Sequence, residues 1–166
     1  MARTTYAIAL GSNRRGRHGA PAAEVRAAQA AIGAGAAAPV LASAPVGPSI
    51  RRFANTVALV ESDLAPPEML ARLKAVERAF GRRRGQRWGP RVIDLDIVLW
   101  SGGSWRSPGL TIPHAAFRQR DFVLRPLLAL APGWRDPATG LTVRQLSSRL
   151  TRTRPVPRSG RSGAGP

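Results

Sequence analysis

The apolar segment 92–100 carries two acidic residues, and this combination constrains the fold more than any other feature of the chain. Asp94 and Asp96 are two positions apart in the segment. Alternate residues of a β-strand point to the same face, so a strand here would place both carboxylates on one face, roughly 6.5 to 7 Å apart. Like charges at that separation repel one another and lose hydration when buried. The segment is therefore predicted to be a strand whose acidic face meets a strong positive charge.

Two sources of positive charge suit this pair. One is a divalent cation, because carboxylate oxygens of this kind are the ligands that Mg²⁺ prefers. The other is a group of arginines just upstream, at positions 82, 83, 84, 87 and 91. Arginine binds phosphate oxygens through paired hydrogen bonds, so acids and arginines together predict a site for a metal-bound nucleoside triphosphate. Plain ion pairs between the aspartates and arginines, and a solvated arginine loop, are the alternatives.

The predicted elements follow the order β-α-β-β-α-β. Strands are predicted at 4–10, 39–44, 52–61 and 92–100, and helices at 21–33 and 66–81. Pro21 is typical of a helix start, and Pro66 and Gly81 bound an amphipathic segment. This order is the pattern of a ferredoxin-like sandwich. With further helices expected at 121–130 and 142–150, the predicted fold class is α+β: a ferredoxin-like βαββαβ sandwich with C-terminal helical additions.

The length of 166 residues predicts one domain, over residues 1–150. Residues 151–166 are rich in Arg, Pro, Ser and Gly, which predicts a basic, disordered tail. No apolar stretch approaches the roughly 18 residues of a membrane span, and the N-terminus shows no secretory signal. The absence of cysteine excludes disulfides and thiolate zinc sites. We expect a cytoplasmic monomer with no membrane partner.

The formal net charge of +17 predicts an anionic partner, such as nucleic acid or a phosphorylated metabolite. All but one of the 26 basic residues are arginine, so a GC-rich coding bias is another explanation for the charge. An RNA-binding module on a ferredoxin-like sheet is the main alternative function. However, the chain lacks the aromatic-rich strand signature of that module, and RNA binding leaves the aspartate pair unexplained. For these two reasons no nucleic-acid partner is expected. A third reading, a basic assembly subunit, has only the charge in its favour.

Residues outside the acidic strand add a second part to the predicted site. Phe53 and Asn55 alternate on a predicted strand and therefore face one side, where a ring and an amide can bind a flat heterocycle. Ordinary core packing of Phe53 and a strand-edge amide at Asn55 are the alternatives. Gly11, at the end of the first predicted strand, is expected to let the backbone pass close to a small group. His18 and His114 are each expected to make local hydrogen bonds.

The longest motif, Arg-Trp-Gly-Pro-Arg-Val-Ile-Asp-Leu-Asp-Ile-Val at 87–98, is similar to the signature of the 6-hydroxymethyl-7,8-dihydropterin pyrophosphokinase family. Further matches follow in order: Ala9 to Asn13, Pro45 to Pro48, Phe53 to Asn55, Glu77 with Gly81 and Arg82, Ile112 to His114, and 120–127. The resemblance covers about residues 5–150. It implies transfer of the terminal diphosphate of ATP to the hydroxymethyl oxygen of the reduced pterin, with AMP as the second product, in folate biosynthesis.

The resemblance also implies a set of site residues. Asp94 and Asp96 would hold two Mg²⁺ ions together with ATP, and Arg82, Arg84 and Arg91 would act with them in catalysis. The pterin would stack between Phe53 and Phe122, with Asn55 on its edge and the backbone near Val46 beside it. The predicted nucleotide-binding residues are Glu77, Arg82, Trp88, Arg91, Ile97, Ile112, His114 and Arg120. Ala115 departs from the family, where a tyrosine that contacts phosphate is common.

Overall fold

An antiparallel β-sheet forms the centre of the fold in the computed structural model, which describes residues 2–43, 53–81 and 92–152. Its strands are β1 (Thr4–Ser12), β2 (Ala36–Ala37), β3 (Leu41–Ser43), β4 (Phe53–Ser62) and β5 (Asp94–Trp100). The strand order is β2-β4-β1-β5, and β3 also pairs with β4. The strand predicted at 39–44 is instead the two short strands β2 and β3, because Pro39 between them has no N–H to donate to the ladder.

Four α-helices are present in the described part of the chain. They are α1 (Pro21–Ala31), α2 (Pro66–Gly81), α3 (Asp121–Leu130) and α4 (Val143–Arg152), and a 3₁₀ turn (Phe117–Gln119) precedes α3. All four were predicted from the sequence. Since α4 continues to Arg152, the predicted tail overlaps it by two residues, and the rest of that prediction lies outside the described residues. None of these helices is long and apolar enough to cross a membrane.

The sequence prediction missed a hairpin that follows the central sheet, and it missed the 3₁₀ turn before α3. The hairpin consists of β6 (Trp105–Ser107) and β7 (Leu110–Ile112), which pair in antiparallel fashion. Pro108 and Gly109 connect them, and Gly109 has a φ of 75°, which glycine adopts without a steric penalty. The Pro-Gly pair was the local signal for this turn. Strands of three residues are too short to give a readable alternation of apolar and polar positions.

The two faces of the sheet are buried by different helices. The first cluster joins Tyr6, Ile8, Leu10, Leu95 and Ile97 of the sheet to Val25 and Ala28 of α1 and Met69 and Leu73 of α2. The second cluster joins Ala7, Val57, Val98 and Leu99 to Val123, Leu124 and Leu127 of α3 and Val143 and Leu146 of α4. Because both faces of β1 are buried in these clusters, residues 6–10 of its sequence are all apolar. These layers define an α+β protein with an antiparallel sheet.

A buried ion pair fastens the 3₁₀ turn to the loop before α4. Asp136 is fully buried and accepts hydrogen bonds from Arg118 Nε at 2.6 Å and Arg118 Nη2 at 2.8 Å. It also accepts from Thr139 Oγ1 at 2.8 Å and the Ala138 N–H at 3.0 Å. Burial raises the pKa of Asp136, but the hydrogen bonds from Arg118, Thr139 and Ala138 lower it by more, so the pKa lies below its usual value.

This arrangement predicts a pH-dependent contribution to stability. Because the folded-state pKa of Asp136 is lowered, its contribution is fully present above the unfolded pKa of about 3.9 and is lost as the pH falls through the folded pKa. Asp136→Asn should reduce the free energy of unfolding at pH 7 by about 3 kcal/mol, near the lower limit for a broken buried pair, because Arg118 keeps some contact with water. Urea unfolding at pH 7 and pH 3 measures both effects.

The control is Asp121→Asn, which removes the exposed pair between Asp121 and Arg125. Its cost should be below about 0.5 kcal/mol, as for other exposed pairs four residues apart in a helix. The difference between wild type and Asp136→Asn should shrink at pH 3. A difference that is constant with pH would contradict the assigned role of the Asp136 charge.

Candidate functional site

Three strands bring side chains together at one end of the sheet. Gly11 of β1 is the direct partner of Asn55 in β4 and of Asp94 in β5. Direct partners on adjacent strands point to the same face, so Asn55 and Asp94 stand on either side of Gly11. With neighbouring strands about 4.8 Å apart, their Cα atoms are separated by roughly 10 Å. Phe53 and Asp96, each two residues away along its own strand, lie on this face as well.

This face is covered only in part. The second hydrophobic cluster buries Ala7 and Val57 beneath α3 and α4. Asp94 and Asp96, at the end of the sheet, are exposed. Among the described residues, the exposed large hydrophobic side chains are Phe53 (39%) and Phe122 at the start of α3 (43%). They are the two rings predicted to hold the pterin. A flat ligand that covers an exposed ring removes apolar surface from water, which stabilises the complex.

Gly11 makes room for the amide of Asn55. A Cβ atom built at Gly11 would lie 3.0 Å from Asn55 Oδ1, which is tighter than nearly all such contacts. The amide oxygen therefore extends over β1, in the direction of Asp94 on the other side. The small group that the sequence predicted next to this glycine is the Asn55 side chain. Asn55 thus shares this face with Phe53 of the same strand, and its amide oxygen leans towards β1.

The aspartate pair is exposed, so the burial cost expected from the sequence does not arise. Ile93, Leu95 and Ile97 occupy the opposite face of the strand and are buried there, which leaves the aspartates facing outward. Asp96 forms no ion pair or hydrogen bond with any residue that the structure describes, so the alternative of a plain salt bridge gains no support for it there. No group of three or more His, Cys, Asp and Glu in the described ranges is arranged to hold a metal. The chain would offer a cation these two carboxylates, and the other ligands would come from phosphate and water.

The C-terminal part of α2 holds the start of β5. Glu77 is 7% exposed, and its Oε1 accepts a hydrogen bond from the N–H of Leu95 at 2.9 Å. Lys74 Nζ lies 3.4 Å from Oε2. A Cβ atom at Gly81 would be 2.7 Å from Cγ2 of Val92, so only glycine permits this close approach of the helix to the residues that lead into β5. The structure therefore places Glu77 against the backbone between the two aspartates, and its predicted contact with a nucleotide stays a prediction.

His114 and Arg120 lie on the connection between the hairpin and α3. The Ile112–Pro113 peptide is cis, and the N–H of His114 donates to the Val98 carbonyl of β5 at 3.0 Å. The ring nitrogen Nδ1 accepts the N–H of Ala116 at 3.1 Å, so the neutral ring carries its proton on Nε2. Arg120 places its guanidinium carbon 5.7 Å from the centre of the Phe122 ring, in cation–π geometry.

Two of the remaining predicted site residues are buried, and five lie outside the described part of the chain. The side chains of Ile97 and Ile112 are buried, at 4% and 1% exposure, so a nucleotide could reach them chiefly through the backbone. That contact stays a prediction. Five predicted site residues lie outside the described residues: Val46, Arg82, Arg84, Trp88 and Arg91.

A buried contact near the start of β5 was missed by sequence reasoning. Glu24 of α1 is fully buried and accepts the backbone N–H of His18 at 2.7 Å, and its Oε2 lies 2.8 Å from the His18 ring nitrogen Nδ1. The prediction of a local hydrogen bond for His18 is confirmed. A Cβ atom at Gly16 would lie 2.7 Å from Cγ1 of Val92, so this turn packs against the residues that lead into β5. An acid in the first turn of a helix was the available signal.

The fold and this face define a class: an α+β protein with a partly open face at one end of an antiparallel sheet, formed by paired acids, an amide and an exposed ring. The family model described as 7,8-dihydro-6-hydroxymethylpterin-pyrophosphokinase matches residues 7–132, more than half of the chain. The chain belongs to this family. The matched segment contains every described residue of the predicted site.

Individual relatives agree with the family assignment. The chain is 42% identical over 100 residues to a 2-amino-4-hydroxy-6-hydroxymethyldihydropteridine pyrophosphokinase from Synechocystis sp., covering 60% of this chain and 51% of that protein. It is 45% identical over 103 residues to a protein of the same name from Pseudomonas aeruginosa, covering 61% and 64%. It is 40% identical over 98 residues to the folic acid synthesis protein fol1 of Schizosaccharomyces pombe, covering 59% and 13%. The chain thus spans between about half and two thirds of the length of the first two relatives.

The close contact at Gly11 yields a prediction about Asn55. In Gly11→Ala the protein should remain folded, with a free energy of unfolding equal to wild type or up to about 1 kcal/mol higher, because alanine orders a strand at less entropic cost. The Asn55 amide must move away from the new methyl group. Its side-chain NH₂ resonances in a ¹H–¹⁵N spectrum report this movement.

The matched control is Gly35→Ala, where the nearest atom to a new Cβ is the Leu59 carbonyl oxygen at an ordinary 3.9 Å. Its Asn55 resonances should coincide with those of wild type. Unchanged Asn55 resonances in Gly11→Ala would show that the amide does not lie over β1.

Proposed function

We propose that this protein transfers the terminal diphosphate of ATP to the hydroxymethyl group of 6-hydroxymethyl-7,8-dihydropterin, giving the pterin diphosphate and AMP in folate biosynthesis. The observation that carries the proposal is the shared open face of Phe53, Asn55, Asp94 and Asp96 around Gly11. Membership of the pyrophosphokinase family and the names of the relatives support it. Because the chain spans only part of those relatives, its activity and substrates are proposals.

We also propose that the fold is a ferredoxin-like sandwich with C-terminal helical additions. The strand order β2-β4-β1-β5 and the antiparallel pairing of β1 with both neighbours support this assignment. The helices α1 and α2 pack on one face, as the β-α-β-β-α-β order requires. The added helices α3 and α4 pack on the opposite face and end short of the acidic residues.

In this proposal the pterin binds between the rings of Phe53 and Phe122. Aromatic side chains offer apolar faces to a flat heterocycle, and the burial of both rings would stabilise the complex. The amide of Asn55 carries both a donor and an acceptor, so it can pair with the polar edge of the ring system. Its location over β1 would hold the pterin between Phe53 and the acidic strand. The backbone near Val46 is a further predicted contact.

Mg²⁺ fits the donor set of the proposed site. Both carboxylates are exposed, share one face and provide oxygen ligands, and Mg²⁺ keeps waters and substrate phosphates as its other ligands. We propose that Asp94 and Asp96 hold two ions together with ATP. When bound there, Mg²⁺ supplies neutralisation of the charge on the polyphosphate.

The chain's own residues would position the phosphates. Diphosphate transfer needs alignment and charge neutralisation more than covalent chemistry. His114 has Nε2–H as a donor, because Nδ1 is engaged by the backbone, and it can donate to a phosphate oxygen. Arg120 would neutralise negative charge beside the Phe122 ring. The arginines 82, 84 and 91 are the remaining predicted phosphate contacts. The other predicted contacts with the nucleotide are Glu77, Trp88, Ile97 and Ile112.

We further propose that the protein acts as a cytoplasmic monomer whose partners are ATP and the reduced pterin, without nucleic acid or membrane. The comparisons give no support to the RNA-binding alternative, and the family assignment provides a different reason for positive charge, namely the binding of a polyphosphate.

The test of function is a nucleotide analysis after incubation with Mg²⁺, ATP and the reduced hydroxymethylpterin. AMP should form only when the pterin and Mg²⁺ are both present, since the β-phosphorus is attacked. ADP as the product would indicate an ordinary kinase or ATPase and would contradict the proposal. An intact nucleotide pool would leave the RNA-binding alternative as the next hypothesis, to be tested by filter binding.

A second prediction concerns the acidic strand. Asp96→Asn should lower kcat by at least about 10²-fold, because several kcal/mol of charge stabilisation depend on the carboxylate. Its free energy of unfolding should stay within about 0.5 kcal/mol of wild type, as is usual for exposed positions. Steady-state kinetics and urea unfolding provide the two measurements.

The matched control is Asp63→Asn, an exposed aspartate that follows β4 at the opposite end of the sheet. Its kcat should equal that of wild type. Full activity in Asp96→Asn would remove this residue from the proposed site.

A further inference from the structure

The backbone between Asp94 and Asp96 has an unusual hydrogen-bond acceptor. The N–H of Leu95 donates to Oε1 of Glu77, eighteen residues earlier in the sequence, at 2.9 Å. Among the described strands, β5 pairs with β1 alone, so this N–H lies on the free edge of the sheet. Edge N–H groups commonly bond to water. Here a carboxylate that is only 7% exposed takes that place.

Burial of the Glu77 carboxylate costs free energy, so its hydrogen bonds are needed to keep it in place. The charge loses hydration, and the loss is offset only when hydrogen bonds satisfy the oxygens. A hydrogen bond to an ionised acceptor is shorter and stronger than one between neutral groups. The bond between Glu77 and the Leu95 N–H therefore restrains the strand more firmly than water at an edge would.

The restrained group is the peptide that joins Asp94 to Leu95. Because a peptide unit is planar, fixing its N–H also limits the backbone rotations that direct the side chain of Asp94. Asp96 follows one residue later, with Leu95 fixed in the core between the two. The close contact of Gly81 with Val92 holds the same helix end against the residues that lead into β5. Helix α2 thus restrains the backbone that carries the two aspartates.

We propose that Glu77 is a positioning residue, whose buried carboxylate holds the Asp94–Leu95 peptide so that the two aspartates can bind one cation-bearing ligand together. This inference rests on the proposed function, and it gives Glu77 a role through the backbone rather than through the nucleotide. The restraint then depends first on an acceptor oxygen at this distance from the Leu95 N–H, and the negative charge only strengthens that bond.

Three variants separate the acceptor from the charge. Glu77→Gln keeps an oxygen at the same distance and removes the charge. Glu77→Met keeps the approximate volume and removes the acceptor. Glu77→Asp keeps the charge but shortens the side chain by one methylene, which withdraws the acceptor from the Leu95 N–H. The control is Lys74→Met, which removes the neighbour of the other oxygen, Oε2, and leaves the Leu95 bond in place.

The first readout is independent of activity. Mn²⁺, a spectroscopic substitute for Mg²⁺, is titrated by electron paramagnetic resonance into protein saturated with α,β-methylene-ATP. Glu77→Met and Glu77→Asp should weaken Mn²⁺ binding about 10- to 100-fold, the usual effect of removing a group that orients metal ligands. Glu77→Gln and Lys74→Met should stay within about threefold of wild type. Hydrogen exchange at the Leu95 amide should accelerate in the Met and Asp variants only.

The opposite pattern would overturn the proposal. If Glu77→Gln binds Mn²⁺ as weakly as Glu77→Met while Glu77→Asp resembles wild type, the charge itself faces the ligand. If all three variants bind like wild type, the carboxylate does not position the pair. Should Glu77→Met fail to fold, the Asp and Gln variants still give opposite expectations. A wild-type protein that forms no AMP would refute the proposed function, whereas the exchange rate at Leu95 would still test the restraint.

Discussion

The placement of β1 between β4 and β5 is the constraint on which the rest of the structure depends. Alternate residues of β1 fill the two hydrophobic clusters, so a slip of one residue would exchange every buried side chain with the opposite face. The register that packs the core is therefore strongly favoured. The same register sets Asn55 and Asp94 on either side of Gly11. The alignment of the strands at the candidate site is thus a direct consequence of core packing.

Two sets of acidic side chains in this basic chain differ in burial and in partners. The buried carboxylates in the described part of the chain are Glu24, Glu77 and Asp136, and each accepts a backbone N–H, from His18, Leu95 and Ala138 respectively. These acids fasten loops and a strand to helices. The aspartates of β5 are exposed instead, on a face that α3 and α4 do not cover. A buried carboxylate must receive hydrogen bonds from the protein itself, whereas an exposed pair of carboxylates is accessible to a ligand.

Much of this arrangement was predictable because it depends on local periodicity. The 3.6-residue pattern located α2, and the two-residue period placed Phe53 with Asn55 and Asp94 with Asp96. The bond between Glu77 and Leu95 was not predictable in this way, because the two residues belong to different elements. The pair of Glu24 and His18 depends on how a turn folds back on α1. The hairpin of β6 and β7 was too short to show a period. The predicted roles of Val46 and the upstream arginines lie beyond the described residues and stay predictions.

The sequence by itself determined which residues share a face of each element, because side-chain direction follows from the local geometry of a strand or helix. It also determined the family, through a long motif whose order along the chain is specific. Only the tertiary structure decided which strands are neighbours, and therefore that Asn55 and Asp94 meet across Gly11. It also decided that the aspartate pair is exposed rather than buried. Both outcomes depend on the simultaneous burial of the two faces of the sheet. The apolar surface buried there comes from residues far apart in the sequence, so no short segment contains this information.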